Sequence, residues 1–167
     1  IALGTCFELA GKPVLAVNVH LESHETPASR GVDMQNLLAM IETLAPNGRV
    51  VIGGDFNTST GSHGERHGDP AEWAARLAAD PMRLLRPEPH EPLFSAAAAH
   101  GYDWQSCNLP DQPTTRYPAG STRPPAKIDW VFTRNLKASD VALLAAVQPD
   151  GTPASDHEGL VVTIALA

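Results

Sequence analysis

A layered α/β (α+β) domain is predicted for this chain by three observations. Apolar stretches with strand-like alternation open and close it. A stretch of helical period over about residues 29–45 separates the second such strand from the buried run RVVIGG at 49–54. Clusters of Gly, Pro, Ser and Asn divide the elements. The order is strands, helix, strand, helices, strands, which suggests sheets covered by helices. With 167 residues, 43% of them hydrophobic and 19% charged, the chain is long enough for one domain, taken as 1–167, with its own core. No run of about 18 apolar residues occurs, so no transmembrane helix is expected.

Residues 2–9 and 13–21 read as two strands joined at Gly11-Lys12, a hairpin. Val14, Ala16, Val17 and Val19 make the second largely apolar, as in a central strand. In the helix, Val32, Leu37, Leu38, Ile41 and Leu44 recur near helical spacing, and Pro46-Asn47-Gly48 stops it. The strand 49–54 runs straight into Asp55. Residues 58–68 are a loop rich in Ser, Thr, Gly and His; Asp69 then caps, and Pro70 starts, the helix AEWAARLAAD. Pro81, Pro87, Pro89 and Pro92 make the next stretch irregular before a short alanine-rich helix at about 93–100. Residues 101–126 form a long proline-rich loop, of a length that is usually functional or disordered. Strands follow at about 127–133, 140–147 and 159–166.

Net charge is −7, so long-range attraction to polyphosphates is weak and a non-specific nucleic-acid binder is disfavoured. A nuclease stays open, because a bound divalent cation changes the local balance. Cys6 and Cys107 match no CxxC spacing and read as two free thiols. The chain opens on Ile rather than Met, with no basic start of a signal peptide, as expected of a fragment, a processed form or part of something longer. Cellular location is left open.

The segments that carry chemistry are Asn18-Val19-His20, Gly54-Asp55-Phe56-Asn57, Ile128-Asp129-Trp130 and Ser155-Asp156-His157. Each sets ionisable side chains beside apolar strand residues, where polar groups must be paired or used. Loops at strand ends are also where sites gather. Singly, each has an ordinary reading. Gly-Asp-x-Asn suits an Asx turn, Asp129 an exposed strand face, Ser-Asp-His a polar turn, and His20 a hydrogen-bonded core histidine. Jointly they suit an Asp/His hydrolytic site around a divalent cation.

His20-Leu21-Glu22 followed by a helix with Arg30 and Gln35, then VVIGGDFN, KIDWVF and ASDHEGLVVTI, resembles the endonuclease/exonuclease/phosphatase superfamily. That group includes deoxyribonuclease I-like nucleases, apurinic/apyrimidinic endonucleases, neutral sphingomyelinases and inositol polyphosphate 5-phosphatases. The resemblance runs in order from His20 to Ile164. It implies a deoxyribonuclease I-like β-sandwich flanked by helices, and a Mg²⁺- or Mn²⁺-dependent hydrolase of phosphate esters. By that resemblance His20 contacts the scissile phosphate, Asp55 orients or deprotonates the attacking water, and Asn57 holds a phosphate oxygen. Asp129 orients and charges the catalytic His157. Asp156 approaches the metal or the leaving group, and Asp156 with Asp55 forms the expected metal-ligand set. The long loop before Ile128 lines the substrate cleft in that group, so Arg116 and Trp104 are expected to bind substrate, with Tyr102, Tyr117 and Arg123 nearby. His63 and His67 lie four apart in a Gly-rich loop rather than on a helix, and zinc binding there is not expected.

One departure from the group's pattern matters. Its N-terminal Asn, and the Glu of a Gln-Glu pair that is its main metal ligand, have no counterpart here; Glu8 and Glu22 lie in the wrong context. The chain is therefore expected to be the second half of a two-sheet sandwich, lacking the N-terminal part and binding metal weakly alone. Expected partners are a phosphate-ester substrate (nucleic acid, phospholipid head group or small molecule) and a second copy, since a half-sandwich exposes apolar sheet surface. The alternative is a catalytically incomplete half-domain that acts as a binding or self-associating module.

Overall fold

The first two strands, β1 (Ala2–Leu9) and β2 (Lys12–His20), form an antiparallel hairpin in the computed structural model, which describes residues 1–118 and 120–167. Ala119, within the loop expected at 101–126, lies outside the described residues. Ala10 and Gly11 turn the hairpin with φ of 48° and 72°, the left-handed pair that matches strand twist.

Helix α1 (Pro27–Leu44) begins at Pro27, with the Thr26 hydroxyl accepting from the Ser29 N–H. It carries the chain across to β3 (Arg49–Asp55), which pairs parallel with β2, as a strand–helix–strand crossover permits. Two helices follow, α2 (His63–His67) and α3 (Pro70–Ala79), then α4 (Pro92–Ala99). Strand β4 (Asp129–Arg134) adds antiparallel to β3, giving one four-stranded sheet in the order β1-β2-β3-β4. Strands β5 (Leu136–Leu144) and β6 (Gly159–Leu166) form a second, two-stranded sheet that touches β3 and β4. Sheets flanked by helices are what the sequence predicted.

The core lies between one face of the larger sheet and helices α1 and α4. Leu15, Val17, Val19, Val50, Ile52, Trp130 and Phe132 meet Met34, Leu37, Leu38 and Ile41 of α1 and Leu93, Phe94 and Ala97 of α4. Phe94 stands edge-on to Trp130 at 4.7 Å between ring centroids. The two helices approach closely at Gly31, where a Cβ would sit 3.0 Å from that of Pro92. Arg134 closes the bottom, donating to Glu42 and to the Ala45 and Gly48 carbonyls at the end of α1.

Several expectations need correction. Val32 is 54% exposed, off the α1 stripe that Met34, Leu37 and Ile41 define. Leu44 shares the stripe but hangs over Gly4 and Cys6, too small to cover it, and is 66% exposed. Residues 63–67, expected as loop, make a turn of helix because Ser62 and Glu65 form a reciprocal capping box. The strand expected at 140–147 runs from Leu136 to Leu144. Asn135, with φ of 55°, turns the chain directly out of β4, and a bulge around Asp140 shifts the pairing of β5 with β6 between Ser139 and Ala142.

Candidate active site

Strand register builds the site. His20 pairs with Asp55 across β2 and β3, and Asp55 pairs with Asp129 across β3 and β4. The three residues form one row at one end of the sheet, and residues paired on neighbouring strands share a face. The backbone is tight there. Gly54 has φ of 138°, and a Cβ on it would fall 2.0 Å from the Val19 carbonyl oxygen, so only glycine lets β3 approach β2 just before Asp55.

His157 arrives from the loop before β6. Thr115 bridges to His157, Arg116 N–H donates to the Asp156 carbonyl at 2.6 Å, and Glu158 N–H donates to the Thr114 carbonyl at 2.7 Å. Thr114 in turn accepts from the Ile128 and Asp129 N–H groups through its hydroxyl, each at 3.0 Å. The loop carrying His157 is thus tied to the start of β4. The imidazole Nδ1 lies 2.9 Å from Asp129 Oδ2 and 3.1 Å from Oδ1.

Charge in the site follows from these contacts. Partial burial disfavours the His157 imidazolium, but the charge and hydrogen bond of Asp129, with Asp55 and Asp156 behind them, raise its pKa above the ordinary value. Burial raises the pKa of Asp55 and the neighbouring Asp129 charge adds to this, opposed by the Asn57 N–H and by His157 and His20. His20 Nε2 lies 3.6 Å from Asp55 Oδ2, too long for a hydrogen bond.

The turn after Asp55 is strained and clamped. Asn57 and Thr60 hold φ of 48° and 60°, which costs on the order of 1–3 kcal/mol for each non-glycine residue. Asn57 N–H donates to Asp55 Oδ1 at 2.8 Å, so the Asx turn weighed for Gly-Asp-x-Asn is present. The Asn57 amide donates one hydrogen to the Leu21 carbonyl at 2.8 Å and keeps a second. Thr58 Oγ1 donates to the Lys127 carbonyl at 2.7 Å and accepts from Trp130 Nε1 at 2.9 Å. Neither Thr58 nor Thr114 stood out in the sequence. Lone threonines carry no pattern, and their roles depend on contacts 69 and 14 residues away.

The remaining expected site residues lie elsewhere. Asp156 is exposed and stands outside the group whose donor atoms converge. Arg116 pairs with Glu158 at 3.0 Å beside Asp156. Trp104 does not reach the row. The Asp103–Thr133 bridge sets it at the far end of β4, where its ring packs on Phe94 at 5.5 Å and Phe132 at 6.1 Å. Tyr102 is buried with the Arg134 guanidinium over its ring, and Arg123 lies over Tyr117. His63 and His67 stand on α2, not in a loop, with ring centroids 4.4 Å apart and the rings tilted by 35°, and His24 lies a further 4.4 Å from His63. Cys6 and Cys107 are free thiols.

Asp55, Asp129 and His157 each offer one donor atom, all within 4.8 Å of one another. Carboxylate oxygens beside an imidazole fit a divalent cation. Both Asp129 oxygens already face His157 Nδ1, so Asp55 is the carboxylate with capacity to spare.

Among the described residues no helix is long and apolar enough to cross a membrane. No curated protein matches the chain. Solved structures do share the fold. A functionally unknown conserved protein from Enterococcus faecalis V583 superposes with a TM-score of 0.62 at 20% identity, over 99% of this chain and 56% of its own. An endonuclease/exonuclease/phosphatase from Bacteroides vulgatus gives 0.62 at 16%, over 99% and 55%. D. rerio TDP2 complexed with single strand DNA product gives 0.59 at 20%, over 98% and 61%. The chain thus spans little more than half the length of these structures. The family profile described as Endonuclease/Exonuclease/phosphatase family matches residues 3–157, and with nearly the whole chain inside that match, the protein belongs to this family.

Proposed function

We propose that the chain is a metal-dependent hydrolase of phosphate esters, with the Asp129–His157 pair beside Asp55 as the observation that carries the reading. In-line attack on a phosphoryl centre needs an aligned water and charge stabilisation on the equatorial oxygens. Asp55 Oδ1 accepts from Asn57 N–H, which leaves Oδ2 to hold the water. The Asp129-paired imidazolium of His157 presents a positive charge to the phosphoryl group. Asn57 offers its second amide hydrogen, and His20 the end of the row, to phosphate oxygens. Mg²⁺ or Mn²⁺, held by Asp55, would stabilise the charge that develops on the phosphoryl and leaving oxygens. Asp156 stands outside the three donors that converge.

The test is hydrolysis of a chromogenic phosphodiester, a phosphomonoester and a single-stranded oligonucleotide by chelator-treated protein, before and after addition of Mg²⁺ or Mn²⁺. Metal-restored turnover that His157→Ala removes supports the reading. Turnover indifferent to chelation or to that substitution sinks it.

A second reading is favoured by a different observation. Leu3 is 73% and Phe7 38% exposed on the β1 face that β5 and β6 leave uncovered. Such a patch suits self-association. Sedimentation velocity across concentrations, with Leu3→Glu/Phe7→Glu alongside, tests it; a chain that stays monomeric throughout ends the idea.

A further inference from the structure

The Arg30–Glu91 pair is entirely enclosed, with both side chains 0% exposed. Arg30 Nε donates to Glu91 Oε2 at 3.0 Å and Nη2 donates to Oε1 at 2.6 Å, while Nη1 donates to the Glu25 carbonyl at 2.7 Å. A buried ion pair is weak as a stabilising device, because desolvation of both charges offsets their attraction. Its second connection is what distinguishes it. Glu91 Oε1 also accepts from the Thr60 N–H at 2.8 Å. Thr60 is a β-branched residue at φ of 60°, a conformation it does not hold without external support. It closes the turn that begins at Asn57, whose own N–H bonds Asp55. Glu91 has no other role in the helix it precedes, since its side chain caps no N–H of α4.

We propose that Glu91, anchored by Arg30, is a positioning residue that holds the Asn57–Thr60 turn and through it the orientation of the Asp55 carboxylate. The proposal rests on the hydrolase reading above for its functional consequence, but its structural content is independent of that reading. Helices α1 and α4 thereby grip the turn from behind the sheet, while Thr58 grips it from the β4 side.

Amide hydrogen exchange on the chain itself decides the matter. In Arg30→Met/Glu91→Leu both charges leave together and no guanidinium is stranded, so the expected loss of melting temperature is limited to that of the Thr60 N–H and Glu25 carbonyl left without partners. The Thr60 N–H loses its acceptor. Exchange at Thr60 and Asn57 is expected to rise about tenfold or more, while Val50 and Ile52 of β3 stay protected. Arg30→Met/Glu91→Gln keeps an acceptor oxygen for Thr60 and is expected to restore protection. Should the Leu variant fail to fold, Glu91→Asp serves: the shorter carboxylate keeps Arg30 and withdraws from Thr60. Wild-type exchange at Asn57 in the folded variant overturns the proposal. With an active chain, kcat is expected to fall in the Leu variant with KM unchanged, and the Gln variant to recover it. A wild-type chain that hydrolyses nothing sinks the hydrolase reading and leaves the exchange result to decide this one.

Discussion

His157 and Asp129, 28 residues apart in sequence, meet with the imidazole Nδ1 2.9 Å from Asp129 Oδ2. The contact joins the loop before β6 to the first residue of β4. It leaves the opposite ring nitrogen to face whatever occupies the site. A carboxylate at this position both fixes the ring and favours its charged form.

Removal of the ring is the first prediction. His157→Ala is expected to lower kcat by roughly 100-fold or more with a much smaller effect on substrate affinity, because the charge acts mainly on the transition state. Steady-state kinetics check this; near-wild-type turnover would assign the role to another residue.

The pH dependence follows from the sign of the shift. The folded pKa of His157 lies above its ordinary value of 6.5. The stabilisation this contributes is therefore complete below 6.5 and disappears as pH rises through the folded value. Asp129→Asn removes the opposing charge, so the imidazole should titrate lower and this component should vanish. Proton NMR titration of the ring, with melting curves from pH 5 to 8, reads both.

Asp55 is the converse case. Its pKa is raised chiefly by burial, so the ionised carboxylate is a cost to the fold that acid removes as Asp55 protonates. Asp55→Asn keeps the acceptor for Asn57 N–H and deletes the charge. It is expected to stabilise the chain by about 1 kcal/mol near neutral pH, with hydrolysis abolished. Chemical denaturation shows whether it does; a destabilised variant would mean the charge is compensated better than its surroundings suggest.

Two packing tests address the frame of the site. Gly54→Ala must either move Val19 or distort a backbone at φ of 138°, and soluble folded protein is expected to be largely lost. Thr58→Val is isosteric but strips the partner from both Trp130 Nε1 and the Lys127 carbonyl, with an expected loss of about 1–3 kcal/mol. Circular dichroism melts compare both with the wild type.

Much of this protein is readable from its residues alone. The apolar periods of β2 and β3, the Pro46-Asn47-Gly48 helix stop, the Asp69-Pro70 helix start and the motifs around Asp55, Asp129 and His157 are local patterns, and local patterns are what short-range backbone physics imposes. They yield the layered α/β class and the family. Other features have no local signal. Nothing in Leu44 says that it will face water; that depends on how far the sheet extends beneath α1. Nor does Trp104 reveal that it serves the core, since the bridge from Asp103 to Thr133 decides it. The row of His20, Asp55 and Asp129 exists only through strand register, the convergence of His157 on it through Thr114, and the support of the Asn57–Thr60 turn through a buried pair 61 residues apart. Sequence determined which side chains could do the chemistry; pairing between distant segments, which no short window encodes, decided which of them stand together.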